Sequence, residues 1–188
     1  MALKLKIVTA STRPGRIGPI ITKWVAEQAS AHGKFDVEIM DLDTFNLPLL
    51  DEPNHPAMQN YTKDHTKALS AAVAEADAFV FVTPEYNSFP PASVVNALQA
   101  LVVEWDRKVA GVVSYGGISG GLRAGQELRT LLANMGIMPL KQAVPMPMVF
   151  GDITEEGALS PNAEVGKGTA GMLDELHVWA GALKTIRA

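Results

Sequence analysis

The run Ala78-Phe79-Val80-Phe81-Val82 constrains this chain most. Five consecutive apolar residues, all but one aromatic or β-branched, form a strand only if both of its faces are buried. Such a strand belongs inside a parallel sheet, and a parallel sheet needs helices on both faces. The run ends in Thr83-Pro84-Glu85-Tyr86-Asn87, a polar and aromatic stretch, followed by Pro90-Pro91 and an apolar helical pattern. In open α/β sheets ligands sit in the crevice outside the carboxyl ends of the strands, and this strand end has the chemistry of such a place.

The rest of the chain repeats the pattern. Leu3 to Ala10 reads as a first strand and Ile20 to His32 as its helix. Phe35 to Asp41 reads as the second strand. A long connection from Leu42 to about Tyr61 carries Pro48, Pro53 and Pro56 and is too apolar at Leu49-Leu50 for a solvated loop. It is expected to act as a lid, a pocket wall or a subunit contact. A helix to about Ala76 follows, with Thr62 or Asp64 as its cap. Lys108 to Ser114 is the fourth strand, with a helix from Leu122 to about Met135 that Gly136 terminates. Ile137-Met138 and Ala143 to Phe150 supply an interrupted fifth strand, since Pro145 and Pro147 suit only an edge or a bulge. Gly151 to Gly168 reads as a polar loop and Thr169 to Ile186 as the last helix. Five βα units imply a three-layer α/β sandwich around a parallel sheet of order 2-1-3-4-5, one domain over residues 1–188.

Two more strand ends carry ligand chemistry. After strand one, Ser11-Thr12-Arg13-Pro14-Gly15-Arg16-Ile17-Gly18 offers small hydroxyls, two glycines and two arginines before a helix N-terminus, which suits an anion. The glycine spacing matches neither the P-loop nor the dinucleotide fingerprint, so a single phosphate fits better than a pyrophosphate. After strand four, Tyr115-Gly116-Gly117-Ile118-Ser119-Gly120-Gly121 lets backbone approach a flat ligand. In the order 2-1-3-4-5, strands one, three and four are neighbours, so all three loops converge on one crevice at the topological switch.

Composition narrows the function. There are no cysteines, so disulfides and thiolate chemistry are excluded. The four histidines are scattered, without metal-ligand spacing. A net charge of -4 with no basic block argues against nucleic acid. No apolar run approaches the roughly 20 residues that span a bilayer, and Lys4 and Lys6 break the N-terminal run, so a cytoplasmic protein without a membrane partner is expected. From Ala92 to Val103 no side chain is charged. A helix with no charged stripe needs a cover, and Val94, Val95, Leu98 and Val102 are expected to meet a second subunit.

These motifs resemble those of the NAD(P)H-dependent FMN reductases of flavodoxin-like fold, which include quinone, azo-dye and chromate reductases. The resemblance spans nearly the whole chain and rests on Ser11 to Arg16, on Thr83 to Asn87 with Pro91 and Asn96-Ala97-Leu98, and on Ser114 to Gly117 with Gly120-Gly121. The chain departs from the family pattern at Val95 and Gln99, where Lys and Asp are common, and at Pro90, where an aromatic is usual. The resemblance implies FMN and NADPH or NADH as cofactors. It places the phosphate near Ser11, Arg13, Arg16, Ile17 and Gly18. The ring would lie between Pro84, Glu85, Tyr86, Asn87 and Ser88 on one side and Ser114, Tyr115, Gly116, Gly117 and Ser119 on the other. It implies ping-pong exchange, with hydride from NAD(P)H passing through the flavin to a quinone-like, azo, metal-oxyanion or free-flavin acceptor. No catalytic side chain is needed, since the cofactor carries the chemistry. Backbone amides of the glycine loop would stabilise charge on the flavin, Tyr86, Phe89 and Tyr115 would wall the acceptor site, and Glu85 would cap a loop amide. A homodimer or homotetramer is implied. A flavodoxin-type electron carrier and a non-catalytic redox-sensing module are the alternatives.

Overall fold

The computed structural model describes residues 2–187. Five parallel strands, β1 (Leu3–Thr9), β2 (Phe35–Asp41), β3 (Ala78–Pro84), β4 (Val109–Tyr115) and β5 (Met138–Met146), form one sheet of order β2-β1-β3-β4-β5. The three central strands are almost wholly buried. Alternation in β3 divides the core in two. Ala78, Val80 and Val82 face Ile21, Val25 and Ala29 of helix α1 (Gly18–His32) and Met172, Leu173 and Leu176 of helix α5 (Ala163–Arg187). Phe79 and Phe81 face the other layer. That layer holds α2 (Asp64–Glu75), α3 (Ala92–Gln99) and α4 (Leu122–Asn134), with Trp105 edge-on to Phe79 at 5.2 Å. The three-layer sandwich is the flavodoxin-like one expected.

The differences from expectation are local, and each has a physical cause. Strand β5 is continuous, with one register irregularity opposite Ala110 and Val112, and its prolines are tolerated because it is an edge strand. Helix α5 begins six residues before Thr169, because Asn162 caps it by accepting hydrogen bonds from the amides of Glu164 (3.0 Å) and Val165 (3.2 Å). Gly166 and Gly168 weaken the helical signal of that first stretch without breaking it. Helix α2 is capped by neither Thr62 nor Asp64. Glu52, from the long connection, accepts from the amides of Thr62 (2.8 Å) and Lys63 (2.9 Å) instead.

Helix α3 is two turns long and ends at Gln99. Val94, Leu98 and Leu101 are fully buried in the chain's own core, which corrects the placing of Val94 and Leu98 on a subunit surface. The long connection runs along that flank, with Phe45 and Leu47 packed on the same core. Asn96 clamps it, its amide nitrogen donating to Pro48 O (2.7 Å) and its Oδ1 accepting from Leu50 N (3.1 Å). No described helix is long and apolar enough to cross a membrane.

Candidate active site

The loop after β1 is shaped by its own turn. Arg16 N donates to Arg13 O at 3.1 Å, with Pro14 and Gly15 between them and Gly15 at φ 71, as a type II turn requires at that position. Helix α1 then starts with no side-chain cap and no acidic residue in its first turn. Its positive end is therefore not neutralised by any side chain of its own. The two arginines differ in what they have left to offer. Arg16 is a strut, its guanidinium bonded to Asp41 (2.7 Å) and Asp43 (2.9 Å) at the end of β2, while its Nε is buried without a partner among the described residues. Arg13 is exposed, 5.9 Å from the ring centre of Tyr86.

The end of β3 is a two-residue hairpin. Tyr86 and Phe89 exchange backbone hydrogen bonds of 2.9 and 3.0 Å, with Asn87 at φ 50 and Ser88 at φ 66 between them. Both central residues at positive φ define a type I′ turn, costly for a serine and therefore held by its surroundings. The turn directs Tyr86 back over the first loop, where its hydroxyl reaches Ser11 Oγ at 2.7 Å.

After β4 the glycine loop is packed tightly. Ser114 Oγ donates to Gly120 O (2.9 Å), and Met148 N donates to Gly117 O (2.9 Å). Gly120 and Gly121 have φ of 61 and 74, and a Cβ on Gly121 would lie 2.7 Å from Tyr115 N and O. The amides of Gly116 and Gly120 are directed into the protein, to Met146 O (3.4 Å) and Gly117 O (3.0 Å). This corrects the expectation that the loop's amides as a group face a ligand. Glu85 takes a structural role, but at a helix end rather than a loop amide: it caps α4, accepting from the amides of Arg123 (3.1 Å) and Ala124 (3.4 Å) and from the Arg123 guanidinium (3.0 Å). Burial pushes its carboxyl up, but these hydrogen bonds outweigh that and hold it below the usual carboxylate range.

The three strand ends enclose a cavity of about 280 Å³, just below the ~300–1,000 Å³ usual for small-molecule sites. Loop one contributes Arg13, Gly15, Arg16 and Ile17, loop three Pro84, Glu85 and Tyr86, and loop four Tyr115, Gly116 and Gly117. Other expected residues stand back from it. Ser11 and Ser114 are buried behind the loops, and Asn87 and Ser88 lie on the exposed turn. Ser119 bonds Glu85 at 3.4 Å, and Gly18 is sealed by Tyr115, whose hydroxyl would be 3.0 Å from a Cβ there.

Of the expected aromatic walls, Tyr115 is 4% exposed and forms the floor, and Phe89 lies off the cavity. Burial pushes the Tyr115 phenol well above its usual range, so it stays protonated. Phe150, 65% exposed, supplies the missing wall. It was expected inside the fifth strand but lies beyond that strand's end, an aromatic following Pro147. A second cavity of about 310 Å³ lies under the long connection, between Leu47, Asp43, Ser93 and Asn96, so that connection is a pocket wall. No cluster of metal-ligating side chains occurs among the described residues.

The cavity fits a flat cofactor with a single phosphate. It offers one exposed cation and an uncapped helix end, and its far side is framed by Pro84, Gly116 and Gly117, with no bulky side chain at the glycines. Similarity to known proteins agrees. The family model for NADPH-dependent FMN reductase matches residues 3–151. An NAD(P)H-dependent FMN reductase of Schizosaccharomyces pombe is 38% identical over 167 residues, covering 87% of this chain and 82% of that one. A quinone reductase of Escherichia coli is 27% identical over 176 residues, covering 85% of this chain and 90% of its own. The solved flavoenzyme NAD(P)H:(acceptor) oxidoreductase of Paracoccus denitrificans superposes with a TM-score of 0.74 at 19% identity, covering 96% of this chain and 98% of that one, which speaks for the fold. With three loop motifs on one cavity and a family match over most of the sequence, the chain belongs to the NADPH-dependent FMN reductase family, enzymes that work with NAD(P)H and FMN.

Proposed function

We propose that this enzyme reduces quinone-like acceptors by ping-pong exchange, with FMN held in the cavity between the three strand-end loops. FMN bound there would supply the redox chemistry that links NAD(P)H to the acceptor. The protein's part is to bind, orient and shield. Arg13 and the uncapped end of α1 hold the phosphate, while Pro84, Tyr86, Gly116 and Gly117 frame the ring. Arg16 acts indirectly, fixing loop one to the end of β2 through Asp41 and Asp43.

The observation that carries this reading is the cavity between the three strand ends, with Arg13 as its exposed cation on one side and small, flat residues on the other. A flat apolar acceptor is favoured because the surrounding surface is apolar: Ile118, Met148 and Phe150 are all more than half exposed. Azo, metal-oxyanion and free-flavin acceptors are the alternatives to be compared in the same assay. One face serving donor and acceptor in turn requires parallel double-reciprocal lines as the acceptor is varied. The test is anaerobic stopped-flow reduction of the FMN-loaded protein by NADPH and by NADH, followed by mixing with a benzoquinone. Fast bleaching and fast reoxidation are expected. Flavin that stays oxidised for minutes with both donors would overturn the reading and leave an electron carrier. A dimer or larger assembly belongs to the same proposal, with half-buried Val95 and Val102, and not Leu98, as the candidate contact.

A further inference from the structure

Glu85 stands where the two loops framing the cavity meet. It lines the cavity, yet its carboxylate serves the loop opposite its own. Its side chain is 11% exposed and takes hydrogen bonds from the amides of Arg123 and Ala124, the Arg123 guanidinium and the Ser119 hydroxyl. Apart from the backbone bond of Leu122 N to Ser119 O (3.1 Å), helix α4 has no cap of its own at that end. Its N-cap is Gly121, which has no side chain, and its first turn contains no acid. A residue 38 positions upstream therefore supplies both the cap and the negative charge that the start of α4 lacks.

The charge matters as much as the geometry. A helix N-terminus beside a cavity stabilises negative charge arriving there, and an arginine next to it does so more strongly. The Glu85 carboxylate offsets most of that positive charge, because it is bonded to both. Reduction by hydride brings two electrons and one proton, so one net negative charge enters the cavity.

We propose that Glu85 is a positioning residue which staples the glycine loop to the β3 loop and, with Arg123 as its counter-charge, holds down the reduction potential of FMN bound between them. The proposal rests on the cavity being the FMN site. A lower potential makes onward transfer to the acceptor more favourable, at the expense of the transfer from NAD(P)H. An ordinary helix cap would do neither.

The test compares wild type, Glu85→Gln, Arg123→Gln and the double variant as FMN-loaded proteins, by melting temperature, FMN dissociation constant and midpoint potential. In Glu85→Gln the reduced form should be favoured at least tenfold, a rise of about 30 mV for a two-electron couple. Arg123→Gln should move the potential in the opposite direction, and the double variant should lie between the singles. A Glu85→Gln protein with a lower melting temperature but the wild-type potential is a plain helix cap, and the proposal fails. If Glu85→Gln does not fold, Arg123→Gln decides alone, because its side chain is 64% exposed. A fall in potential then supports the proposal and no change overturns it. Wild-type protein that fails to bind FMN removes the underlying site reading instead, and is seen before any variant is compared.

Discussion

The Tyr86 hydroxyl lies 2.7 Å from Ser11 Oγ, joining two strand-end loops that are 75 residues apart in sequence. Ser11 is fully buried, and its Oγ also accepts from Arg13 N at 3.3 Å. The Arg13 guanidinium lies near the Tyr86 ring. Loop one is thus organised around the buried Ser11 hydroxyl, while Arg13 keeps its charge exposed at the cavity.

Arg13 and Arg16 should consequently fail in different ways. Arg13→Glu should weaken FMN binding by tenfold or more and riboflavin binding far less, with little change in melting temperature, since a charge-assisted hydrogen bond is worth ~1.5–3 kcal/mol. Arg16→Met strands Asp41 and Asp43 and should lower the melting temperature. Titration of each variant with both flavins, beside thermal melts, separates the two. Equal losses for FMN and riboflavin in Arg13→Glu would place the phosphate elsewhere.

The glycines of the β4 loop divide in the same manner. A Cβ on Gly117 meets nothing within 4 Å, whereas one on Gly121 meets backbone at 2.7 Å and must also hold φ 74. Gly117→Val should fold normally and lose FMN, because its side chain enters the cavity. Gly121→Val should lose several degrees of melting temperature. Circular dichroism melts and flavin content after reconstitution measure both, and a Gly117→Val protein that retains FMN would contradict the placement of the ring.

Leu98 packs in the α2–α3–α4 layer with no exposed surface. Leu98→Ala should cost about 2–5 kcal/mol, and Leu98→Glu should prevent folding outright. Denaturant unfolding checks the first. A stable, folded Leu98→Glu monomer would show that this side chain covers a subunit contact after all.

Lys108 gives a pH dependence. Burial, and then the charge of Arg187, lower its pKa to about 8, against the opposing effect of Asp77 and Glu104. Its Nζ donates to Val73 O and to Ala74 O (3.2 Å) at the end of α2. The folded-state value lies below the ordinary 10.5, so the unfolded chain binds the extra proton between them. Stability should therefore rise with pH from about 8 to 10.5, by at most on the order of 3 kcal/mol for this group. Urea unfolding across that range should show the slope in wild type and a weaker one in Lys108→Met. An unchanged slope would assign it to other groups.

The order of elements, the parallel sheet and the convergence of three loops were legible before any fold was seen. The reason is that they depend on local pattern. An unbroken apolar run such as Ala78–Val82 admits only a doubly buried strand, and five βα units admit few topologies. The type II turn at Pro14-Gly15 is written in its own residues as well.

What only the tertiary structure decided is how each polar side chain is used. Arg13 and Arg16 look alike in sequence, but Asp41 and Asp43 arrive at one of them from the end of β2. Val94 and Leu98 look like an unpartnered face until the fold sets them in one core with Phe79, Phe81 and Trp105. Glu85 finds the amides of α4 38 residues away, and Phe150 reaches the cavity from the turn that follows β5. Short-range periodicity records which face of an element is buried. It cannot record which charge meets which, because those partners are brought together only when the chain closes on itself.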